Sequence, residues 1–419
     1  MKRPNRAPDA EPATDRRTRS PDTRAHARGS AFEVFAAFLK LGLTSFGGPI
    51  AHLGYFHREL IERRRWVDEA HYAQLVALCQ FLPGPASSQL GFALGLIRAG
   101  WPGALAAFVA FTLPSALLLL LFARALPVLE NLYGRAAIHG LKLVAVAVVA
   151  QGLLLMARRL TPDVPRALIA AAVGAVVLLS DLPFTQLLVV ALGAVAGLLF
   201  CRHVKEAGGT SLELQLGRRT GGLLVGAFFV LLAVALVVDR ADIPLASVAA
   251  AFYRAGALVF GGGHVVLPLL EDAVVAPGWI SADEFLAGYG AAQAVPGPMF
   301  SIAAFLGERL DGSSGGLTGA LVATVAIFLP GLLLVAGALP LWRSIAGRAS
   351  AVSALAGINA AVVGLLAAAL YDPVWTGAVL SPADFAIAFV AFALLAATRT
   401  SVLVVLAWCV GASLVVALL

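Results

Sequence analysis

"QFLPGP", residues 80–85, interrupts a stretch of apolar sequence, and "QAVPGP", residues 293–298, interrupts the chain a second time in the same way. In both places a glutamine stands shortly before a Pro-Gly-Pro element. A proline ring opposes continuation of a helix, and the residue before each proline is driven out of the α region of backbone conformation. The two stretches therefore predict two helices that break at matching places.

The composition around these breaks is that of a membrane protein. The chain has 419 residues, of which 60% are hydrophobic and only 13% are charged, and its mean hydropathy is +0.89. Such a composition excludes a soluble protein and predicts an all-α polytopic membrane protein, since a helix needs about twenty apolar residues to cross a bilayer. Runs of this kind occupy residues 101–122, 141–157, 184–201, 221–238, 317–339, 351–370 and 400–419.

The sequence shows no sign of a cofactor or of enzymatic chemistry. Cys79, Cys201 and Cys409 are far apart in apolar runs, so they predict neither a disulfide framework nor a metal site. There is no His-Glu-x-x-His motif and no phosphate-binding loop, and the glycine-rich segments follow no strand. The net charge of +6 is the excess that cytoplasmic loops of a membrane protein need, so no nucleic-acid partner is expected.

The two breaks belong to a long internal repeat. "FLKLGLTSFGGP" at 38–49 and "FYRAGALVFGGG" at 252–263 share Phe, a basic residue, Gly and then Phe-Gly-Gly in register, and Trp66 corresponds to Trp279. Several spaced motifs in the same order are a strong repeat signal. The chain divides into a disordered basic tail, a first repeat, a connector made of a cytoplasmic loop and one helix, and a second repeat, at residues 1–30, 31–201, 202–240 and 241–419.

The loop charges predict that the two repeats have opposite orientations. "HRELIERRRW" at 57–66 contains four arginines, whereas the matching "EDAVVAPGW" at 271–279 contains two acids and no base. Because basic loops stay in the cytoplasm, equivalent loops of the two repeats are expected on opposite sides of the membrane. We therefore predict inverted repeats, with a cytoplasmic N-terminus and a C-terminus on the opposite, periplasmic side.

Broken helices at matching positions of two inverted repeats indicate the binding site of a transporter. Half-helix N-termini present free N–H groups and a positive dipole end, which suit an anion. The alternative is that the breaks are structural kinks or tight loops between full-length helices, and the charges do not distinguish re-entrant hairpins from pairs of complete spans. The residues expected to bind substrate are Lys40, Gly47, Gly48, Gln80, Pro83, Gly84, Pro85, Ser87, Arg254, Gly261, Gly262, Gly263, Gln293, Pro296, Gly297 and Pro298.

Two of these residues are cations that could bind a negatively charged substrate. Lys40 and Arg254 occupy equivalent positions inside apolar stretches, where a cation is costly and usually functional. Together they would form a positive pair able to bind a dianion, or each would extend its charged end toward lipid headgroups. Gln80 and Gln293 would donate hydrogen bonds to an oxyanion or would tie down the interrupted backbone, and Ser87 would bind substrate or cap the helix that follows.

Proton coupling would require a titratable group near the breaks. His52 and His264 lie just beyond the two glycine clusters, and Glu59 and Glu271 flank the membrane ends of the first segments of each repeat. An imidazole in such a place can couple proton movement to transport. The alternatives are structural histidines and solvated or ion-paired loop carboxylates.

On these motifs the sequence resembles the chromate transporter family in its long, two-domain form. The resemblance rests on "FGGP" followed by "AHLG" within 46–54, on "FGGGHVVLPLLE" at 260–271 and on both Pro-Gly-Pro elements with their glutamines, and it covers residues 31–419. It implies a bacterial inner-membrane antiporter that exports chromate, driven by the proton gradient, and so confers chromate resistance. It also implies chromate, protons and the lipid bilayer as partners, with a homodimer as one possible assembly. A transporter or channel for another oxyanion, such as sulfate, is the alternative.

Overall fold

The structure is a computed structural model that describes residues 29–129, 131–180, 185–202, 217–238, 245–261, 263–310, 312–342, 348–398 and 400–419. Within these ranges the regular structure is helical and no strand occurs. Five helical stretches are long and apolar enough to cross a membrane, and shorter apolar helices accompany them. The prediction of an all-α polytopic membrane protein is thereby confirmed. The predicted tail up to residue 28 and residues 203–216 of the predicted connector lie outside the described ranges.

Sixteen helices of eight residues or more occur in the described part of the chain. They are joined by short loops, by 3₁₀ turns and by two π-helical turns, His57–Arg63 and Leu370–Trp375. In chain order the helices are α1 (Ala31–Thr44), α2 (Gly48–Phe56), α3 (Glu69–Phe81), α4 (Ala86–Ala125), α5 (Leu132–Leu160), α6 (Val164–Leu179), α7 (Thr185–Phe200), α8 (Arg218–Val237), α9 (Leu245–Leu258), α10 (Val266–Val274), α11 (Ala282–Ala294), α12 (Ile302–Arg309), α13 (Gly316–Ala338), α14 (Ala349–Ala369), α15 (Pro382–Thr398) and α16 (Val402–Leu418).

Helix α4 is two helices joined by a reversal of the chain. Its backbone leaves the helical region at Ala99 and Gly100, and Gly100 has a φ of +66° that favours glycine. In a straight helix, residues eight apart are separated by about 12 Å along the axis. Here a Cβ atom placed on Gly95 would lie 2.5 Å from the carbonyl oxygen of Gly103. The part before the break therefore folds back on the part after it.

The first repeat begins with two helical hairpins. Glu33, near the start of α1, accepts hydrogen bonds from Trp66 Nε1 at 3.1 Å and from Arg98 Nη2 at 3.1 Å. The start of the first hairpin and the ends of both hairpins therefore lie at one face of the molecule. The tips of these hairpins, meaning the loops between their two limbs, are the Phe-Gly-Gly and Pro-Gly-Pro breaks. In the second repeat, Glu284 of α11 and Arg309 of α12 approach within 2.5 Å, so this hairpin also returns to the face where it starts.

The last two helices of each repeat pack on the long helix of the other repeat. Helices α6 and α7 pack along α14, while α15 and α16 pack along α5. Small residues allow the close approach: a Cβ atom on Gly193 would lie 3.0 Å from the carbonyl oxygen of Gly357, and one on Gly140 would lie 2.7 Å from the Cα atom of Val410. Close backbone packing of this kind replaces the hydrophobic driving force that lipid does not supply between helices. The two repeats thus exchange their final helix pairs.

Repeat-related helices also make related contacts within each repeat, because α1 packs along α4 and α9 packs along α13. Helix α8 packs against α9 and α13, and it has no counterpart among the helices of the first repeat that the structure describes. The opposite orientation of the two repeats in the membrane stays a prediction from the loop charges.

Candidate functional site

The four hairpin tips meet in pairs across the two repeats. The N–H of Gly84 donates to the carbonyl of Val259 at 2.7 Å, and the N–H of Gly297 donates to the carbonyl of Ser45 at 2.9 Å. Val259 and Ser45 each directly precede a Phe-Gly-Gly sequence. Each Pro-Gly-Pro break is therefore bonded to the Phe-Gly-Gly break of the other repeat. We call the contact at Gly84 the first junction and the contact at Gly297 the second junction.

Only glycine fits the centre of each Pro-Gly-Pro break. Gly84 and Gly297 have φ values of +120° and +105°, which L side chains rarely adopt. A Cβ atom on Gly84 would lie 2.9 Å from the Cα atom of Gly331 in α13, and one on Gly297 would lie 2.9 Å from Ser115 Oγ in α4. Each tip thus packs against a membrane-crossing helix of the other repeat, beside the proline inside that helix.

The other predicted residues of the breaks lie at the starts of the second hairpin limbs. Pro85 precedes α4, and Pro298 precedes the 3₁₀ turn that leads to α12. Gly47 and Gly48 have φ values of +96° and +75° at the start of α2. Of the remaining predicted residues, Pro83 is half-buried and accepts a hydrogen bond, Ser87, Gly263 and Pro296 are buried, and Gly262 lies outside the described residues.

Polar side chains gather at the second junction. Ser115 Oγ and Ser301 Oγ are 2.7 Å apart in a buried hydrogen bond between the repeats, and His52 Nε2 lies 3.2 Å from the Ser45 carbonyl. His52 Nδ1, Ser45 Oγ and Thr112 Oγ1 are buried and have no hydrogen-bond partner among the described residues. Buried polar atoms are normally paired, so these atoms have unused capacity for a polar ligand or water.

The first junction is lined by different groups. Gln80 Oε1 accepts a hydrogen bond from Arg159 Nη2 at 3.1 Å, and both side chains are exposed. Gly261 has a φ of +76° and is also exposed, and a Cβ atom there would lie 3.4 Å from Asn359 Oδ1. Gln89 Nε2 ties down the break by donating to the Pro83 carbonyl at 2.8 Å. Sequence reasoning missed Gln89, Arg159 and Asn359, because none of them lies in a repeated motif.

The predicted cations have separate partners. Lys40 Nζ forms an ion pair with Glu59 Oε2 at 2.9 Å. Arg254 is buried, donates to the carbonyl of Ala235 in α8, and lines a cavity of about 30 Å³ together with Asp272. This arrangement favours a structural role for both cations over the positive pair expected from the sequence.

Glu59 holds the basic cluster at the end of the first hairpin. Its carboxylate accepts hydrogen bonds from Lys40, Arg63 and Arg64. Burial raises the pKa of Glu59, but the hydrogen bonds from Lys40 and Arg64 outweigh burial and lower this pKa to about 2. The carboxylate therefore stays ionised at neutral pH, which argues against the proton-carrying role expected for Glu59.

Glu271 has the opposite electrostatic environment. It lies near the end of α10, a helix of nine residues that is not among the helices long enough to cross a membrane. Burial, and then the negative charges of Asp272 and Asp372, raise the pKa of Glu271 to about 7. Of the predicted proton carriers with a carboxyl group, Glu271 is the one whose charge would change near neutral pH.

The remaining predicted residues of the second repeat, His264 and Gln293, each contact a neighbouring side chain. His264 Nδ1 lies 3.4 Å from the Tyr289 hydroxyl, and the imidazole packs against Gly152 of α5. Gln293 Nε2 donates to Met299 Sδ at 3.0 Å. His264 thus lies between a hairpin of the second repeat and the long helix of the first.

Comparison with known proteins gives the family. The sequence profile described as "Chromate transporter" matches the chain twice, over residues 32–198 and 246–415. A probable chromate transport protein of Synechococcus elongatus is 30% identical over 82% of this chain and 85% of its own length. A chromate transport protein of Cupriavidus metallidurans is 30% identical over 87% of this chain and 86% of its own length. No solved structure matches the chain. With two matched regions that cover most of its length, the chain belongs to the chromate transporter family.

Proposed function

We propose that the protein is a secondary transporter that exports chromate across the bacterial inner membrane in exchange for protons, and so confers chromate resistance. Family membership supports chromate transport itself. The observation that carries the proposal is the pairing of the hairpin tips at the two junctions, through Gly84 with Val259 and Gly297 with Ser45. Broken helices that meet between two repeats are the usual construction of a transporter's substrate site.

The chemistry of the junctions suits a tetrahedral dianion. The second limbs of the four hairpins begin at the breaks, so their N-terminal N–H groups and positive dipole ends start there. The first junction adds the guanidinium of Arg159 and the amide of Gln80. Chromate offers four oxygens to such donors. Sulfate has the same shape and charge, and it remains the alternative substrate.

A difference between repeat-related helices supports alternating access over a permanently open channel. In α11, residues 285–292 are all buried, and α11 packs against α5. In α3, its counterpart, only one face is buried, and the polar ends Glu69 and Gln80 are exposed. Helix α11 is thus enclosed by protein, whereas its counterpart α3 is exposed along one face. An exchange of these two states would move the access to the junctions from one side to the other.

Chromate uptake into inside-out vesicles that contain this protein tests the proposal. Uptake should require a proton gradient, should collapse when the gradient is dissipated, and should be inhibited by sulfate only at higher concentrations than by unlabelled chromate. Uptake that is independent of the gradient would indicate a channel. Transport of sulfate without transport of chromate would overturn the substrate.

Replacing Glu271 should remove the pH dependence of transport near neutrality. Because the raised pKa of Glu271 is about 7, its carboxyl group binds a proton below this pH and releases it above. We therefore expect uptake by the unmodified protein to change between pH 6 and pH 8, roughly one unit on either side of that pKa. We expect uptake by the Glu271→Gln variant to be the same across this range once it is expressed per chromate dianion, because hydrogen chromate itself loses its proton in this range.

A substitution of the neighbouring Asp372 is the matched comparison for this experiment, because it should shift the pH dependence of uptake without removing it. The charge of Asp372 helps to raise the pKa of Glu271. The Asp372→Asn variant should therefore keep the pH dependence, with its midpoint moved to lower pH. An unaltered pH profile in the Glu271→Gln variant would assign proton coupling to another group.

A further inference from the structure

We infer that Arg159, in the last turn of α5, is the residue that binds the incoming oxyanion at the first junction and that selects for its double negative charge. This inference rests on the proposed function and deepens it. Arg159 lies outside every motif shared by the two repeats, and neither the resemblance nor the comparisons assign it a role.

The position of Arg159 connects it to both breaks that form the first junction. Its Nη2 donates to Gln80 Oε1 at 3.1 Å, and Gln80 belongs to the same break as Gly84. The following residue, Leu160, faces the other break, because a Cβ atom on Gly261 would lie 3.1 Å from Leu160 Cδ1. The end of α5 therefore lies where the two tips of the first junction meet.

The charge of Arg159 is not compensated by the protein. Among the residues that the structure describes, no carboxylate pairs with its guanidinium, whereas Lys40 and Lys142 pair with Glu59 and Asp283. The C-terminal dipole of α5 favours a cation at this place, but it supplies only a partial negative charge. An exposed cation without a counter-ion beside a broken helix attracts an anion, and a dianion more strongly than a monoanion.

The remaining donors at the first junction match the oxygens of a tetrahedral ligand. A guanidinium presents five N–H donors in a fixed fork that can bind two oxygens together. The bond to Gln80 uses one of these donors and fixes the orientation of the fork.

The alternative role for Arg159 is that of a topology signal, shared with its neighbour Arg158. Both side chains are exposed, and both belong to the basic end of α5. The positive-inside rule counts such charges and does not distinguish their positions. If Arg159 acts only in this way, Arg158 and Arg159 should be interchangeable in every assay.

The test compares the initial rates of chromate uptake into inside-out vesicles by the Arg159→Gln, Arg159→Lys and Arg158→Gln variants at increasing chromate concentrations. Losing hydrogen bonds to a charged group should raise the KM of the Arg159→Gln variant about tenfold or more. Arg159→Lys should show a smaller increase, since lysine keeps the charge but loses the fork. Arg158→Gln should have the KM of the unmodified protein, and equal values for the two glutamine variants would overturn the inference.

A second variant keeps the inference testable if Arg159→Gln does not enter the membrane. Gln80→Glu places a carboxylate against the guanidinium, so it should neutralise the site and raise KM as Arg159→Gln does. A Gln80→Glu variant that transports chromate normally would contradict a binding role for Arg159. The proposed function is tested separately on the unmodified protein, and it fails if that protein does not transport chromate or transports it independently of the proton gradient.

Discussion

Chromate uptake by the Gly84→Ala variant is expected to be lower than that of the unmodified protein by a factor of about ten or more, although the variant still enters the membrane. An alanine at this φ of +120° is strained, and its Cβ atom would lie 2.9 Å from the backbone of Gly331. Such strain costs about 1–3 kcal/mol, and the clash adds to it because a backbone atom cannot move aside as a side chain can. The tip must then withdraw from α13, which would break the hydrogen bond from Gly84 to Val259.

The matched control is Gly278→Ala. Gly278 has a φ of +76°, and a Cβ atom there would have no neighbour within 4 Å. This variant therefore carries the backbone strain without the clash, and its uptake should be close to that of the unmodified protein. Radiolabelled chromate uptake, normalised to the protein present in the vesicles, measures both variants. Equal uptake by Gly84→Ala and Gly278→Ala would show that the first junction is not needed for transport.

The Asp283→Asn variant is expected to be much less stable than the Lys142→Met variant, although both break the same ion pair. Lys142 Nζ lies 2.7 Å from Asp283 Oδ1, and the side chains are 8% and 75% exposed, respectively. Removing Asp283 leaves a buried cation without a partner, which costs about 3–5 kcal/mol for a fully buried pair and about 2 kcal/mol in this partly solvated one. Removing Lys142 leaves only a carboxylate in water.

Thermal unfolding in detergent measures this difference. The unfolding temperature should be clearly lower for Asp283→Asn than for Lys142→Met, and the double variant should recover the stability of Lys142→Met. Recovery in the double variant shows that the loss comes from the unpaired lysine. If Lys142→Met were the less stable single variant, packing of the lysine stem in α5 would matter more than its charge.

The sequence predicted the positions of the breaks but could not predict how they pair. Proline and glycine act on the local backbone, so Pro-Gly-Pro and Phe-Gly-Gly are visible without any tertiary information. The internal repeat indicates that Gly84 and Gly297 occupy equivalent positions. It does not indicate that Gly84 contacts Val259 of the other repeat. That contact depends on how the hairpins fold back, and the local effect of Gly100 and Pro102 on the backbone does not specify which tips meet.

The contacts of the charged residues could not be predicted from the sequence either. Lys40 stands out in the sequence because it interrupts an apolar segment, but its partner Glu59 comes close only through the turn after α2. Arg159 attracts no attention in the sequence because it belongs to an ordinary basic helix end. Its contact with Gln80 joins residues far apart in the chain. Hydropathy and motif spacing contain no information about such long-range contacts.

The exchange of final helix pairs between the repeats has a consequence for biosynthesis. When the ribosome has completed α7, the partner of α6 and α7 does not yet exist, because α14 is made much later. Helix α5 is packed later still, since its partners α15 and α16 follow α14 in the chain. The first repeat must therefore stay in the bilayer with its small-residue surfaces against lipid, and it reaches its final packing only when α14, α15 and α16 have been made. The second repeat thus completes the assembly of the first, and a nascent chain that stops before α16 leaves both repeats unfinished.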